Sequence, residues 1–148
     1  VRSVAGLLSR IPLFEGSEPA HLQMLAFASE RAKYEKGATI IEAGKASTHA
    51  CLILSGEAEI FSGGHSVARA GAGAMLGEIS MIAGSTYALS AVATEPVSAA
   101  LIARETFMRV ATEFPEFGAR VHGMLAARFD GSIGDFARLH DLFATSKG

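Results

Sequence analysis

One short stretch gathers the residues able to meet a ligand: Gly77, Glu78, Ile79 and Ser80, then Met81 to Gly84, then Ser85 to Ser90. A glycine lets backbone approach a ligand closely, because it carries no Cβ. The acid after it opens a single apolar helical turn, Glu78 to Ala83, which is too short to be expected as a packing helix. Its expected use is its N-terminus, where unpaired N–H groups and the helix dipole favour an anion. Glu78 has two readings: a ligand-binding carboxylate, or an acid that charges the first turn of its helix. Elsewhere the residues form no catalytic set. His21, His49, His65, His122 and His140 show no metal-ligand spacing, and surface or core roles are expected for them, with His65 in a loop. No Ser–His–Asp or Cys–His arrangement can be argued from spacing. Neither an enzyme nor a metal or cofactor site is expected.

The elements that must hold this stretch belong to a globular chain. It has 148 residues, 49% hydrophobic and 19% charged, which suits one domain around one core. The net charge of −2 argues against a nucleic-acid-binding surface. The single cysteine, Cys51, excludes an internal disulfide and a cysteine-based zinc site. It sits in an apolar run, as a small buried hydrophobe would, and a reducing, cytoplasmic compartment is its simplest home. No apolar run approaches the ~20 residues needed to span a bilayer. Gly6 to Leu8 is too short an apolar segment for a signal peptide. A chain that begins with valine is expected to be a cut domain or to lack its first residues.

Residues 1–29 read as helical. Ser3 to Arg10 suit a short helix, and Ile11 to Phe14 an extended segment, with Pro12 as breaker. Ser17, Glu18 and Pro19 spell a helix start, with Ser17 as the cap and an end near Ser29. Residues 30–103 read as short strands cut by glycines: Thr39–Glu42, Cys51–Leu54, Glu57–Phe61, His65–Arg69, Leu89–Thr94 and Val97–Ala103. Gly63-Gly64 is a hairpin signal, and strands so spaced point to a sandwich or barrel. The abundant alanine runs against strand propensity. In 104–145 the helical period returns. Phe107, Val110 and Ala111 share a face, and Pro115 opens a further helix. An apolar stripe then runs from Phe117 through Val121, Leu125, Ile133 and Phe136 to Phe143, with Gly131 and Gly134 each weakening the helix by about 1 kcal/mol. Its length leads us to expect a homodimer contact or docking to an effector domain.

This order resembles the cyclic-nucleotide-binding domain, the module of the catabolite activator protein, cyclic-nucleotide-gated channels and protein kinase A regulatory subunits. Three runs carry the resemblance: Lys36-Gly37 to Gly44, Leu52-Ile53-Leu54-Ser55-Gly56-Glu57-Ala58, and Gly71-Ala72-Gly73-Ala74-Met75-Leu76-Gly77-Glu78-Ile79. Phe107 and Pro115 fall where the family places its B-helix phenylalanine and a following proline. The resemblance implies a mainly β fold with flanking helices (α+β). It would be a β-roll or jelly roll of about eight short strands, with N-terminal helices and C-terminal B/C-type helices. Residues 77–90 would be its phosphate-binding cassette.

In the family the cassette binds a cyclic phosphate on short-helix N–H groups and an arginine, and its glutamate takes a hydrogen bond from the ribose 2′-hydroxyl. Gly77, Glu78, Ile79 and Ser80 match by position. The arginine does not: its place falls on Tyr87, preceded by Thr86 where the family often has proline. A guanidinium clamps phosphate through two charged bonds, where tyrosine offers one neutral O–H. The loss of one charged hydrogen bond is worth ~1.5–3 kcal/mol, roughly 10–100-fold in affinity. Tyr87 is either a pocket residue or a plug, and Arg69, Arg104 and Arg128 are candidate replacement cations. Ser85, Thr86 and Ser90 read as turn and strand hydroxyls. Ala88 stands where a threonine would favour cGMP, so the resemblance implies cAMP. Ser132 lies about where the family's C-helix offers a hydroxyl to the base. The family's activator proteins carry a DNA-binding motif after this helix; here the chain stops, so direct nucleic-acid binding is not expected.

The resulting expectation is a regulatory module that binds a cyclic nucleotide and signals through its C-terminal helix. The alternative is a degenerate fold used for dimerisation or protein interaction without nucleotide. A cupin-type enzyme would need clustered His/Glu ligands, which the glycine-rich strands do not show.

Overall fold

The computed structural model describes residues 3–130, the last three by backbone alone. At its centre are two four-stranded antiparallel sheets. Strands β1 (Glu30–Tyr34), β8 (Val97–Ala103), β3 (His49–Ser55) and β6 (Met75–Leu76) form one, in that order. Strands β2 (Thr39–Ile41), β7 (Ser90–Ala93), β4 (Ala58–Ser62) and β5 (His65–Ala70) form the other. Helices α1 (Val4–Leu8) and α2 (Pro19–Ala28) precede the sheets, α3 (Glu78–Ala83) interrupts them, and α4 (Arg104–Glu113) and α5 (Pro115–Asp130) follow. This is the mainly β architecture with flanking helices that the glycine-cut strands led us to expect.

The sequence of β3 explains how the layers join. Side chains alternate across a strand, yet Ala50, Cys51, Leu52 and Ile53 are all fully buried. Ala50 and Leu52 pack toward the helices with Ala100 and Ile102 of β8. Cys51 and Ile53 face the interior of the roll, with Ile40, Ile60, Tyr87 and Ala99. The first sheet is therefore covered on both faces, and such strands read as continuous apolar runs. The alanines that counted against strands are also explained: Ala58, Ala91, Ala93 and Ala99 are buried in the narrow interior between the two sheets. Their fit is set by space, and packing overrides propensity.

Several local expectations are corrected. Pro12–Phe14 is a 3-10 turn, with only Ile11 extended; Leu13 and Phe14 are thereby turned into the core. The cap of α2 is Glu18, not Ser17, and it makes no side-chain cap bond; the Ser17 hydroxyl is buried without a partner. Strand β1, which no apolar alternation announced, pairs with β8 as an exposed edge. His65 opens β5 opposite Ser62 instead of lying in a loop; Gly63 and Gly64, both with positive φ, form the turn. The short α3 does pack: Met81 is fully buried in the helical core, and Ile82 is nearly so. At the other end Phe14, Phe107 and Phe117 form a triangle with ring centroids 5.8–6.3 Å apart, and it joins the 3-10 turn to α4 and α5. Of the long apolar stripe, Phe117, Val121 and Leu125 are buried on α5; its part beyond residue 130 lies outside the described residues.

Candidate functional site

Six of the seven residues singled out from sequence surround one cavity. Gly77, Glu78, Ile79, Ser80, Tyr87 and Ala88 all line a space of about 370 Å³, together with Ile41, Ile60, Met75, Leu76 and Leu89. Ser132, the seventh, lies outside the described residues. The cavity is open on one side of the roll, and its wall is mostly apolar.

The local sequence places these groups. Gly77 has φ +77° and begins α3 in the left-handed region, which a side chain resists. Space forbids one as well, since a Cβ there would lie 2.7 Å from the Tyr87 ring. Gly84 closes α3 in the same conformation, and its N–H donates to the Ser80 and Met81 carbonyls. The intervening turn is held by Ser47, whose hydroxyl donates to the Ser85 carbonyl. Ser90 accepts from the Ala43 N–H at 2.9 Å, and Thr86 bridges to Ala46. Ser90 and the backbone around Ser85 and Thr86 thus serve the scaffold. Glu78 stands in the first turn of α3 and is engaged within the protein.

Tyr87 lines the cavity but is held almost wholly buried. It is 5% exposed and belongs to the apolar cluster inside the roll. Its hydroxyl donates to the His49 carbonyl at 2.5 Å and accepts from the His49 N–H at 3.4 Å. The two rings meet edge to face, with centroids 6.2 Å apart. Burial pushes the phenol's pKa up, so the hydroxyl stays a donor. His49 was not singled out from sequence; it lies 38 residues from Tyr87, and no short-range pattern announces the contact. Burial lowers the pKa of its imidazole, and its Nε2 has no hydrogen-bond partner.

Neither of the two candidate cations with described side chains, Arg69 and Arg104, turns its charge into the cavity. On β4, Ala58 and Ile60 are buried, and they pair with Ala70 and Ala68 of β5 on the inner face. Arg69 pairs with Glu59 and so stands on the outer face. There its guanidinium donates to the Glu57 carboxylate at 2.6 Å, and its side chain is 62% exposed. Arg69 borders the cavity, but its charge is turned outward. Arg104 lies elsewhere: its Nε donates to the Met81 carbonyl at 2.9 Å, at the C-terminal end of α3. It lines a separate groove of about 930 Å³, beside His49, Ser47 and Ser85. That groove is larger, but it contains none of the six residues and is bounded by two acids, Glu30 and Glu105. The side chain of Arg128 is outside the described part. Among the described residues no three His, Cys, Asp or Glu side chains cluster to hold a metal. Nor is any described helix long and apolar enough to cross a membrane.

Comparison with known proteins agrees with this fold. The family model of the cyclic nucleotide-binding domain matches residues 31–114, more than half of the chain. A cAMP-dependent protein kinase regulatory subunit of Colletotrichum orbiculare is 32% identical over 111 residues, covering 74% of this chain and 28% of that protein. The chain thus matches little more than a quarter of that relative's length. Among solved structures, a cyclic nucleotide-binding-like protein from Brucella abortus is 30% identical. The match covers 75% of this chain and 99% of that one, with a TM-score of 0.67. The Thermus thermophilus catabolite activator protein is 25% identical, covering 88% and 63% of the two chains, with a TM-score of 0.69.

Proposed function

The chain belongs to the cyclic nucleotide-binding domain family, and we propose that its cavity binds a cyclic nucleotide, cAMP before cGMP, as the input of a regulatory module. The observation that carries this reading is the convergence of Gly77, Glu78, Ile79, Ser80, Tyr87 and Ala88 on one cavity. Apolar walls suit a base and sugar, and the few polar groups are concentrated at α3. Glu78 stands at the family glutamate position and in this reading takes the ribose 2′-hydroxyl. Ala88 supplies no hydroxyl for a guanine, which supports cAMP.

The output in this proposal is mechanical. A ligand drawing α3 inward acts on α4, because Arg104 of α4 is bonded to the Met81 carbonyl. Helix α5 follows α4 through Phe107 and Phe117, and Ser132, the candidate group for the base, lies outside the described residues. The two-state element is this helical segment, whose position biases a partner copy or effector domain. A cytoplasmic location belongs to the same reading and is supported by the buried free thiol of Cys51. Isothermal titration with cAMP and cGMP tests it. Heat and a thermal shift are expected with cAMP; neither nucleotide giving either signal would sink it. A second reading, a degenerate module used for dimerisation, is favoured by the Tyr87 hydroxyl already being spent on His49. A stable dimer in sedimentation, indifferent to nucleotide, is its signature.

A further inference from the structure

We infer that the cavity recognises the nucleoside and not its phosphate, so that an uncharged nucleoside is held as well as its cyclic phosphate. The inference rests on the cavity being the ligand site and adds what that site reads. Its ground is the fate of every described group that could meet a phosphate. The Tyr87 hydroxyl is bonded to the His49 backbone on both its donor and acceptor sides. Tyr87 cannot swing inward without leaving the roll interior, where it is 5% exposed. Arg69 is turned to the outer face and paired with Glu57. Arg104 is bonded at the far end of α3. The rest of the described wall is apolar surface, the Ser80 hydroxyl, neutral backbone donors and the Glu78 carboxylate, which is engaged within the protein. A phosphate entering here would shed water without gaining a charged partner among the described residues, which is unfavourable. A ribose and base need no such partner. Tyr87 is therefore the specificity-determining residue, and it removes phosphate reading from the site.

The test compares adenosine and cAMP by isothermal titration on the full chain, at low and at high salt. Both probes keep the base and the 2′-hydroxyl that Glu78 would meet, and they differ at the 3′,5′-phosphodiester, in whose place adenosine carries two neutral hydroxyls. The expected result is a cAMP affinity less than about tenfold above that of adenosine, the low end of what one charged hydrogen bond contributes, with no loss in high salt. Preference for cAMP by tenfold or more overturns the inference while leaving the ligand site standing. Binding of neither probe overturns both. Two variants sharpen the result. Tyr87→Phe removes the hydroxyl but keeps the ring, and should leave the ratio of the two affinities unchanged; a ratio that moves tenfold shows the hydroxyl meeting the ligand and overturns the assignment. Where Tyr87→Arg folds, it should tilt the ratio toward cAMP by about tenfold or more; a folded Tyr87→Arg that leaves the ratio unchanged removes Tyr87 from its role.

Discussion

At the residue scale, His49 and Cys51 are neighbours on β3 whose titrations are displaced for the same reason, loss of water. The Cys51 thiol is fully buried and its pKa is pushed up to about 12. The thiolate is the reactive form, so Cys51 should not react with a thiol reagent in the folded protein and should react fully in denaturant. Rapid labelling of the native chain would contradict the placement. For His49 the direction is opposite, because burial disfavours the charged imidazolium and lowers the pKa from its ordinary 6.5. The unfolded chain then takes up the proton first as the pH falls. His49 therefore contributes its stability fully above pH 6.5 and loses it as the pH drops through the lowered folded value. The expected observation is a melting temperature that falls from pH 7 to pH 5 more steeply in the wild type than in His49→Gln. Parallel curves would show that the imidazole is effectively solvated.

At the scale of elements, the joint between α3 and the roll is set by one pair, Gly77 and Tyr87. Gly77→Ala meets two penalties: a left-handed backbone, which costs about 1–2 kcal/mol for a residue with a Cβ, and a ring 2.7 Å away. Tyr87→Ala relieves the second penalty and not the first. The double variant should thus be less destabilised than the sum of the single ones, by about 0.5–3 kcal/mol in a denaturation cycle. Strict additivity would mean that the ring and the glycine do not touch. The same elements show what sequence could and could not reveal. The cassette was legible because its six residues lie within twelve consecutive positions, and Gly77 and Gly84 mark the ends of its helix. Strands β3, β4 and β8 were legible from their apolar runs. Strand β1 was not: Glu30, Arg31 and Lys33 are polar because an edge strand faces water. The tie of Tyr87 to His49 was hidden because it is a bond across 38 residues, created only when the sheets close. The same closure decides that Arg69 faces outward, which depends on its pairing with Glu59 and not on local sequence.

For the whole molecule, the question is how a roll with a cavity and a layer of helices act as one body. The two apolar clusters share a single wall, the sheet of β1, β8, β3 and β6, with side chains of β3 and β8 entering both. The helical layer is fastened at its far end by the triangle of Phe14, Phe107 and Phe117. In the proposed mechanism, movement of the cavity wall reaches α5 only if that fastening holds α4 and α5 together. Phe117 is 2% exposed, so Phe117→Ala removes buried apolar surface and leaves a cavity, at a cost of about 3–5 kcal/mol. Against a total stability of roughly 5–15 kcal/mol, that loss should lower the urea midpoint sharply with little change in slope. Phe27, also a helical phenylalanine, is 94% exposed, and Phe27→Ala should change stability by less than about 0.5 kcal/mol. Comparable losses in the two variants would contradict the described packing. A Phe117→Ala protein that keeps its midpoint would show the helices fastened by other contacts, and the proposed route from cavity to α5 would then have to bypass the triangle.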